Sequence, residues 1–182
     1  MRDLSLHILD IAENSLSAGS SLVTIDIKAQ SDVLTIRICD NGRGMSEYMM
    51  ERVKSPFVTT RKTRDIGLGI PLFALNCENS GGGLKVTSAP KEGTQILATL
   101  GLSHIDRPPL GDIAQTAAVL ALTNENADFV LTASRDENKF SFDTRIIKET
   151  LGGVPISQPQ VSAFIHQYLQ EGLKQVFGGK EI

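Results

Sequence analysis

Cysteine is scarce in this chain, with two in 182 residues, and neither charge sign dominates: 18 Lys and Arg stand against 21 Asp and Glu, a formal net charge of −3. Cys39 and Cys77 share no short ligand-type spacing and each lies in an apolar run, which argues against a metal site or a bridge and predicts buried, reduced thiols. The slightly acidic balance offers no general attraction to nucleic acid or to an anionic membrane. No apolar stretch is long enough to span a bilayer, and the amino terminus carries no apolar signal-like region. The expectation is a cytoplasmic protein with neither nucleic acid nor membrane as a partner. What is present is ordinary for a globular chain: 41% hydrophobic and 21% charged residues, in a length that suits one domain or one domain with a small appendage.

Residues 1–102 read as an α+β unit. In LSLHILDIAENSLSAG, residues 4–19, helical periodicity places Leu4, Ile8, Leu9, Ile11, Ala12 and Leu16 on one face and Asp10, Glu13, Asn14 and Ser17 on the other. LVTIDIKA (22–29) and VLTIRICD (33–40) alternate as half-buried strands do, and are expected to pair as an antiparallel hairpin. A loop, a short helix and the basic stretch VTTRKTRD follow. IGLGIPLFALNCENSGGG then reads as a glycine turn feeding a helix, with Pro71 in its first turn and the glycines at 81–83 ending it. LKVTSAP and GTQILATLGL supply two more strands, so that helices lie on an antiparallel sheet.

The prolines and Gly111 of SHIDRPPLGD (103–112) mark a turn or linker, and they set 103–182 apart as a C-terminal extension. There we expect a helix over 112–123, strands DFVLTAS and KFSFDTR around RDEN, and a short helix ending at Gly152–Gly153. A last helix is expected to be capped by Ser157, with Val161, Phe164, Ile165, Tyr168 and Leu169 as its apolar stripe. The extension shows no catalytic constellation, and its expected role is partner recognition or dimerisation.

Three glycine-containing segments carry the chemistry. In CDNGRGM (39–45) a hairpin turn accounts for Gly42 but not for Asp40 or Gly44. A carboxylate at the end of a buried strand, followed by two glycines, can accept from an exocyclic amine such as that of adenine while the backbone closes on a flat ring. DIGLGIP (65–71) stands at a helix start, where unpaired backbone N–H groups and the positive dipole end suit a phosphate. Arg61, Lys62 and Arg64 before it either close over phosphates or form a solvated basic loop. In EGTQI (92–96), Gly93 makes a turn and Thr94 offers a hydroxyl to the base or to a water beside it.

As an ordered set, ENSLSAG, DNGRGM, SPFVTTR, GLGI and EGT resembles the asparagine box, two glycine boxes, phenylalanine box and final Gly-Thr of the GHKL ATPase superfamily. That superfamily includes DNA gyrase, heat-shock chaperones, sensor histidine kinases and mismatch-repair ATPases. The resemblance covers residues 1 to about 100 and implies a two-layer α/β sandwich that holds ATP·Mg²⁺ between a helix layer and a lid. By position, Asn14 ligates Mg²⁺, Asp40 binds the adenine amine, and Gly42 and Gly44 shape the base pocket. Gly67, Leu68 and Gly69 receive phosphates, Arg61 and Lys62 close over them, and Thr94 stands near adenine. Asp10 takes the place of the family's usual glutamate general base, one turn before the asparagine. A self-contained sensor kinase carries its phosphoacceptor histidine before this domain, so the acceptor is expected on another protein. His7 is expected to support the site or to lie exposed. These implications converge on a regulatory ATPase or protein kinase that passes a γ-phosphoryl group to a partner protein, with homodimerisation left open. The alternative is a nucleotide-sensing interaction module without chemistry.

Overall fold

The computed structural model describes residues 3–54 and 69–178. Helix α1 (Leu4–Ser17) begins where Asp3 caps it, the carboxylate accepting from the Leu6 N–H at 3.1 Å. Strands β1 (Leu22–Gln30) and β2 (Val33–Asp40) form the expected antiparallel hairpin, with Val23, Ile25, Ile27 and Ala29 of β1 turned inward in strict alternation. Next come α2 (Glu47–Lys54), α3 (Gly69–Asn79), β3 (Gly83–Ser88) and β4 (Thr94–Gly101). The carboxyl-terminal part adds α4 (Ile113–Thr123), β5 (Asp128–Arg135), β6 (Asn138–Asp143), α5 (Thr144–Leu151) and α6 (Pro159–Phe177).

All six strands belong to one sheet, in the order β3-β4-β2-β1-β5-β6. The first four are antiparallel as expected, but β5 lies parallel to β1, with Ile25 opposite Leu131, and makes the sheet mixed. Residues 103–178 therefore continue the same sheet, and their apolar side chains join a single core that runs from Leu4 to Phe177. Helices α1, α3, α4 and α6 pack on one face. Helix α4 contacts both α1 and α6, and its buried face is largely alanine (Ala114, Ala117, Ala118 and Ala121), short side chains that permit close approach. The opposite face is polar: Asp26 accepts from Thr132 Oγ1 at 2.6 Å and from Arg37 at 2.9 Å. This is the two-layer α/β sandwich expected.

Three details differ from expectation. Ser157 does not cap α6: Gln158 holds the cap position without a side-chain hydrogen bond, and the Ser157 hydroxyl donates to the Glu125 carboxylate. The stripe of α6 is also rotated. Ile165 and Leu169 are buried together with Leu173, Val176 and Phe177, whereas Phe164 is 60% exposed. Gly172 sets this rotation, because Phe140 lies where a side chain at residue 172 would project. Cys77 is buried as expected and its thiol is pushed up to about 12 by desolvation; Cys39 is only half-buried, and neither is bridged.

Candidate functional site

The polar stripe of α1 and the ends of β2 and β4 meet at a cleft of about 160 Å³, lined by Ile11, Asn14, Asp40, Met45, Thr94 and Ile96 among others.

Asp40 organises one wall. Its Oδ2 accepts from Ser15 Oγ at 2.7 Å, and its Oδ1 accepts from the Gly42 N–H at 2.8 Å and the Thr94 N–H at 3.3 Å. A carboxylate offers about four acceptor positions, so one remains for a donor entering the cleft. The loop after Asp40 is fixed at both ends: the Arg43 N–H donates to the Ala18 carbonyl at 3.0 Å, and the Lys91 N–H to the Arg43 carbonyl at 2.8 Å. Gly44 is required there, since its φ is +65° and an added Cβ would overlap the Ala89 carbonyl oxygen. Asn41 anchors the loop from outside, its Oδ1 accepting from the Ser21 and Leu22 N–H groups at 2.9 and 3.0 Å.

The adjoining part of this wall turns on one hydroxyl. Ser88 Oγ donates to the Gly93 carbonyl at 2.7 Å and accepts from the Met45 N–H at 2.9 Å. Its single proton is thus used, and its 3.0 Å contact with Thr94 Oγ1 must take the Thr94 proton. Thr94 therefore presents lone pairs to the cleft. Asp40 and Thr94 together make an acceptor-rich wall suited to an amine donor.

Along α1, Asn14 Nδ2 donates to Asp10 Oδ2 at 3.3 Å, and among the described residues the Asn14 carbonyl oxygen at the cleft has no partner. Asp10 meets Gly69, the first residue of α3, so closely that a Cβ at residue 69 would overlap Oδ2. A carboxylate is thereby set at the positive end of α3, whose first turn contains no acid of its own. Glu13, the other acid of the stripe, is exposed.

Among the described residues no group of three His, Cys, Asp or Glu side chains is placed to hold a metal. Magnesium does not need one, because it keeps several waters and takes one or two protein oxygens plus phosphates. The free Asn14 oxygen fits that requirement. Of the expected site residues, Asn14, Asp40, Gly44 and Thr94 line the cleft, Gly42 supports Asp40, and Asp10 and Gly69 meet each other next to the lining residues Ile11 and Ile70. Arg61, Lys62, Gly67 and Leu68 lie outside the described residues. Ser15, Ser88 and Asn41 are site residues that sequence reading missed. His7 is not exposed: it is fully buried between α1 and α3.

The cleft between the first helix and the strand ends of this mixed sheet lies within the part of the chain that matches a known ATPase family. Residues 2–104 match the family described as histidine kinase-, DNA gyrase B-, and HSP90-like ATPase, and the chain belongs to that family. It is 33% identical over 99 residues to sporulation kinase D of Bacillus subtilis, covering 53% of this chain and 19% of that one. It is 32% identical over 83 residues to the nitrogen regulation protein NtrY of Azorhizobium caulinodans, covering 45% and 11%. The chain thus spans less than a fifth of either relative. In structure it is similar to the Aquifex aeolicus MutL ATPase domain complexed with ADP, at a TM-score of 0.50 and 16% identity over 84% of this chain and 70% of that one. It is also similar to the N-terminal domain of a DNA repair protein, at a TM-score of 0.51 and 15% identity over 98% and 58%. No helix among the described residues is long and apolar enough to cross a membrane.

Proposed function

We propose that this chain binds ATP·Mg²⁺ in the cleft and passes the γ-phosphoryl group to a hydroxyl or imidazole of a partner protein, or to water. The observation that carries the reading is the Asp40 carboxylate in the cleft wall, held by three donors of its own chain, which by count leaves one acceptor position for a ligand. The adenine amine donates to Asp40 and the ring lies against Ile11, Met45 and Ile96. Phosphates are directed to the amino end of α3, with Arg61, Lys62, Gly67 and Leu68 carried over from the family pattern. Asn14 would hold Mg²⁺ through its free oxygen; the ion, when bound, neutralises phosphate charge. Asp10 is the group that orients or deprotonates the attacking hydroxyl or water. A partner is expected to meet residues 103–178, which bring no chemistry of their own.

Asp40→Asn tests this reading. The amide oxygen can still accept from Gly42 and Thr94, and the Ser15 hydroxyl can turn to accept from the new amide, so the fold survives. The acceptor facing adenine is compromised, and ATP affinity measured by calorimetry should fall by more than about 2 kcal/mol. Unchanged affinity in the folded variant removes Asp40 from the site. ATP binding without turnover in the presence of candidate partners would favour a nucleotide-sensing module instead.

A further inference from the structure

His7, Asp10 and Asn14 stand at i, i+3 and i+7, one stripe of α1. Gly69, Phe73 and Asn76, at i, i+4 and i+7, form the stripe of α3 that answers it. Asp10 meets Gly69; His7 meets Phe73 and Asn76. The His7 ring is fully buried and stacks on Phe73 with centroids 4.9 Å apart and planes 12° from parallel. Asn76 Nδ2 lies 2.8 Å from Nε2. An amide N–H can only donate, so Nε2 is the bare nitrogen and the neutral ring carries its proton on Nδ1. Among the described residues Nδ1 is buried with no well-aligned hydrogen bond, and the backbone group that bears on the ring is that of Gly69. A buried polar atom held only by a long or poorly aligned hydrogen bond costs stability that an apolar side chain at this core position would avoid. Such a group calls for an explanation beyond packing.

Burial holds the ring below its usual 6.5, while Asp10, Asp3 and the hydrogen-bonding backbone of Gly69 act in the opposite direction. The acids that bear on the ring, Asp10 and Asp3, come from α1 and its cap, while Phe73, Asn76 and Gly69 of α3 cannot titrate. A proton added at Nε2 would face the Asn76 amide donors and place a charge between the helices. Turning the Asn76 amide would offer its oxygen to that proton but leave the charge buried between the helices, so solvating it requires α3 to move away, which shifts the contact between Asp10 and Gly69.

We infer that His7 is a positioning residue: its neutral ring fixes the amino end of α3 against Asp10, and a proton on it displaces that end and weakens the nucleotide site. The second half rests on the nucleotide reading above, the first half does not. The experiment follows the His7 ring nitrogens and the Gly69 backbone amide of the full chain by ¹⁵N NMR from about pH 8 to pH 5. Mg·ATP affinity is measured over the same range in wild type and in His7→Phe, which keeps a ring against Phe73 but cannot titrate. Expected are an unprotonated Nε2 at the upper pH, titration below 6.5, and a Gly69 amide that moves with the same midpoint. Affinity should fall about fivefold or more across that midpoint, and in His7→Phe only the pH dependence of the nucleotide itself should remain. A Gly69 amide that stays still while His7 titrates overturns the inference, as does the same affinity profile in both proteins. Should ATP fail to bind at the upper pH while Gly69 still follows His7, the nucleotide reading falls and the positioning role of the ring stands. If His7→Phe does not fold, the titration of Gly69 in wild type decides alone.

Discussion

At the scale of single residues, the open question is which acid of the first helix does chemistry. Asp10 and Asn14 share a face and a 3.3 Å contact, and Asp10 stands at the amino end of α3, whereas Glu13 points to solvent. Asp10→Asn is nearly isosteric and preserves the close fit with Gly69. It should retain Mg·ATP affinity and lower single-turnover phosphoryl transfer or hydrolysis by about 10²-fold, the usual general-base scale. Glu13→Gln should change either rate much less, and the reverse ranking would move the base to Glu13. The stripe was readable from helical periodicity alone, because a 100° step brings residues 10 and 14 together in any straight helix. That His7 extends the same stripe into the core was not readable, since burial depends on what packs opposite.

At the scale of elements, the site is the place where the end of β2, the turn between β3 and β4, and α1 are held in register. Sequence motifs named Asp40 and Gly44 at and just after the end of β2, Thr94 after the β3–β4 turn and Asn14 on α1, but not the hydroxyls that tie them together. Ser88 belongs to a strand whose pattern carries no unusual feature, yet it fixes the Thr94 proton and receives the Met45 N–H. Ser88→Ala should therefore leave the sheet intact and lower ATP affinity about fivefold, the equivalent of one ordinary hydrogen bond of roughly 1 kcal/mol. Thr94 is then free to turn its proton into the cleft. Calorimetry on the variant checks this, and an affinity equal to wild type would show that Thr94 needs no orientation.

At the scale of the whole molecule, β5 is hydrogen-bonded to β1, and α4 packs on α1, the helix that carries Asp10 and Asn14. The Pro-rich stretch beginning at Ser103 looks like a linker, yet the Leu4 and Ser5 N–H groups donate to the Pro109 and Leu110 carbonyls, each at 2.9 Å. A chain ended after Leu102 loses those acceptors, opens the edge of β1 and uncovers the buried face of α1. It should aggregate or show no cooperative thermal transition and bind no ATP. A soluble, ATP-binding fragment of that length would show that the extension is dispensable for the site.

The sequence by itself determined the local things: amphipathic α1, the β1–β2 hairpin, the helix after the second glycine segment, and the ordered motifs that identify the family. Each of these rests on spacing within a short window, where periodicity, turn chemistry and motif order act directly. The tertiary structure alone decided that β5 joins β1 in parallel, that α6 buries Ile165 and Leu169 while leaving Phe164 outside, and that Ser15 and Ser88 hold the groups facing the cleft. It also decided that His7 is enclosed between two helices. These depend on partners distant in sequence: a strand edge accepts any neighbour of suitable length, a helix stripe can turn by a residue to fit the surface it meets, and a serine acquires a role only from what folds against it.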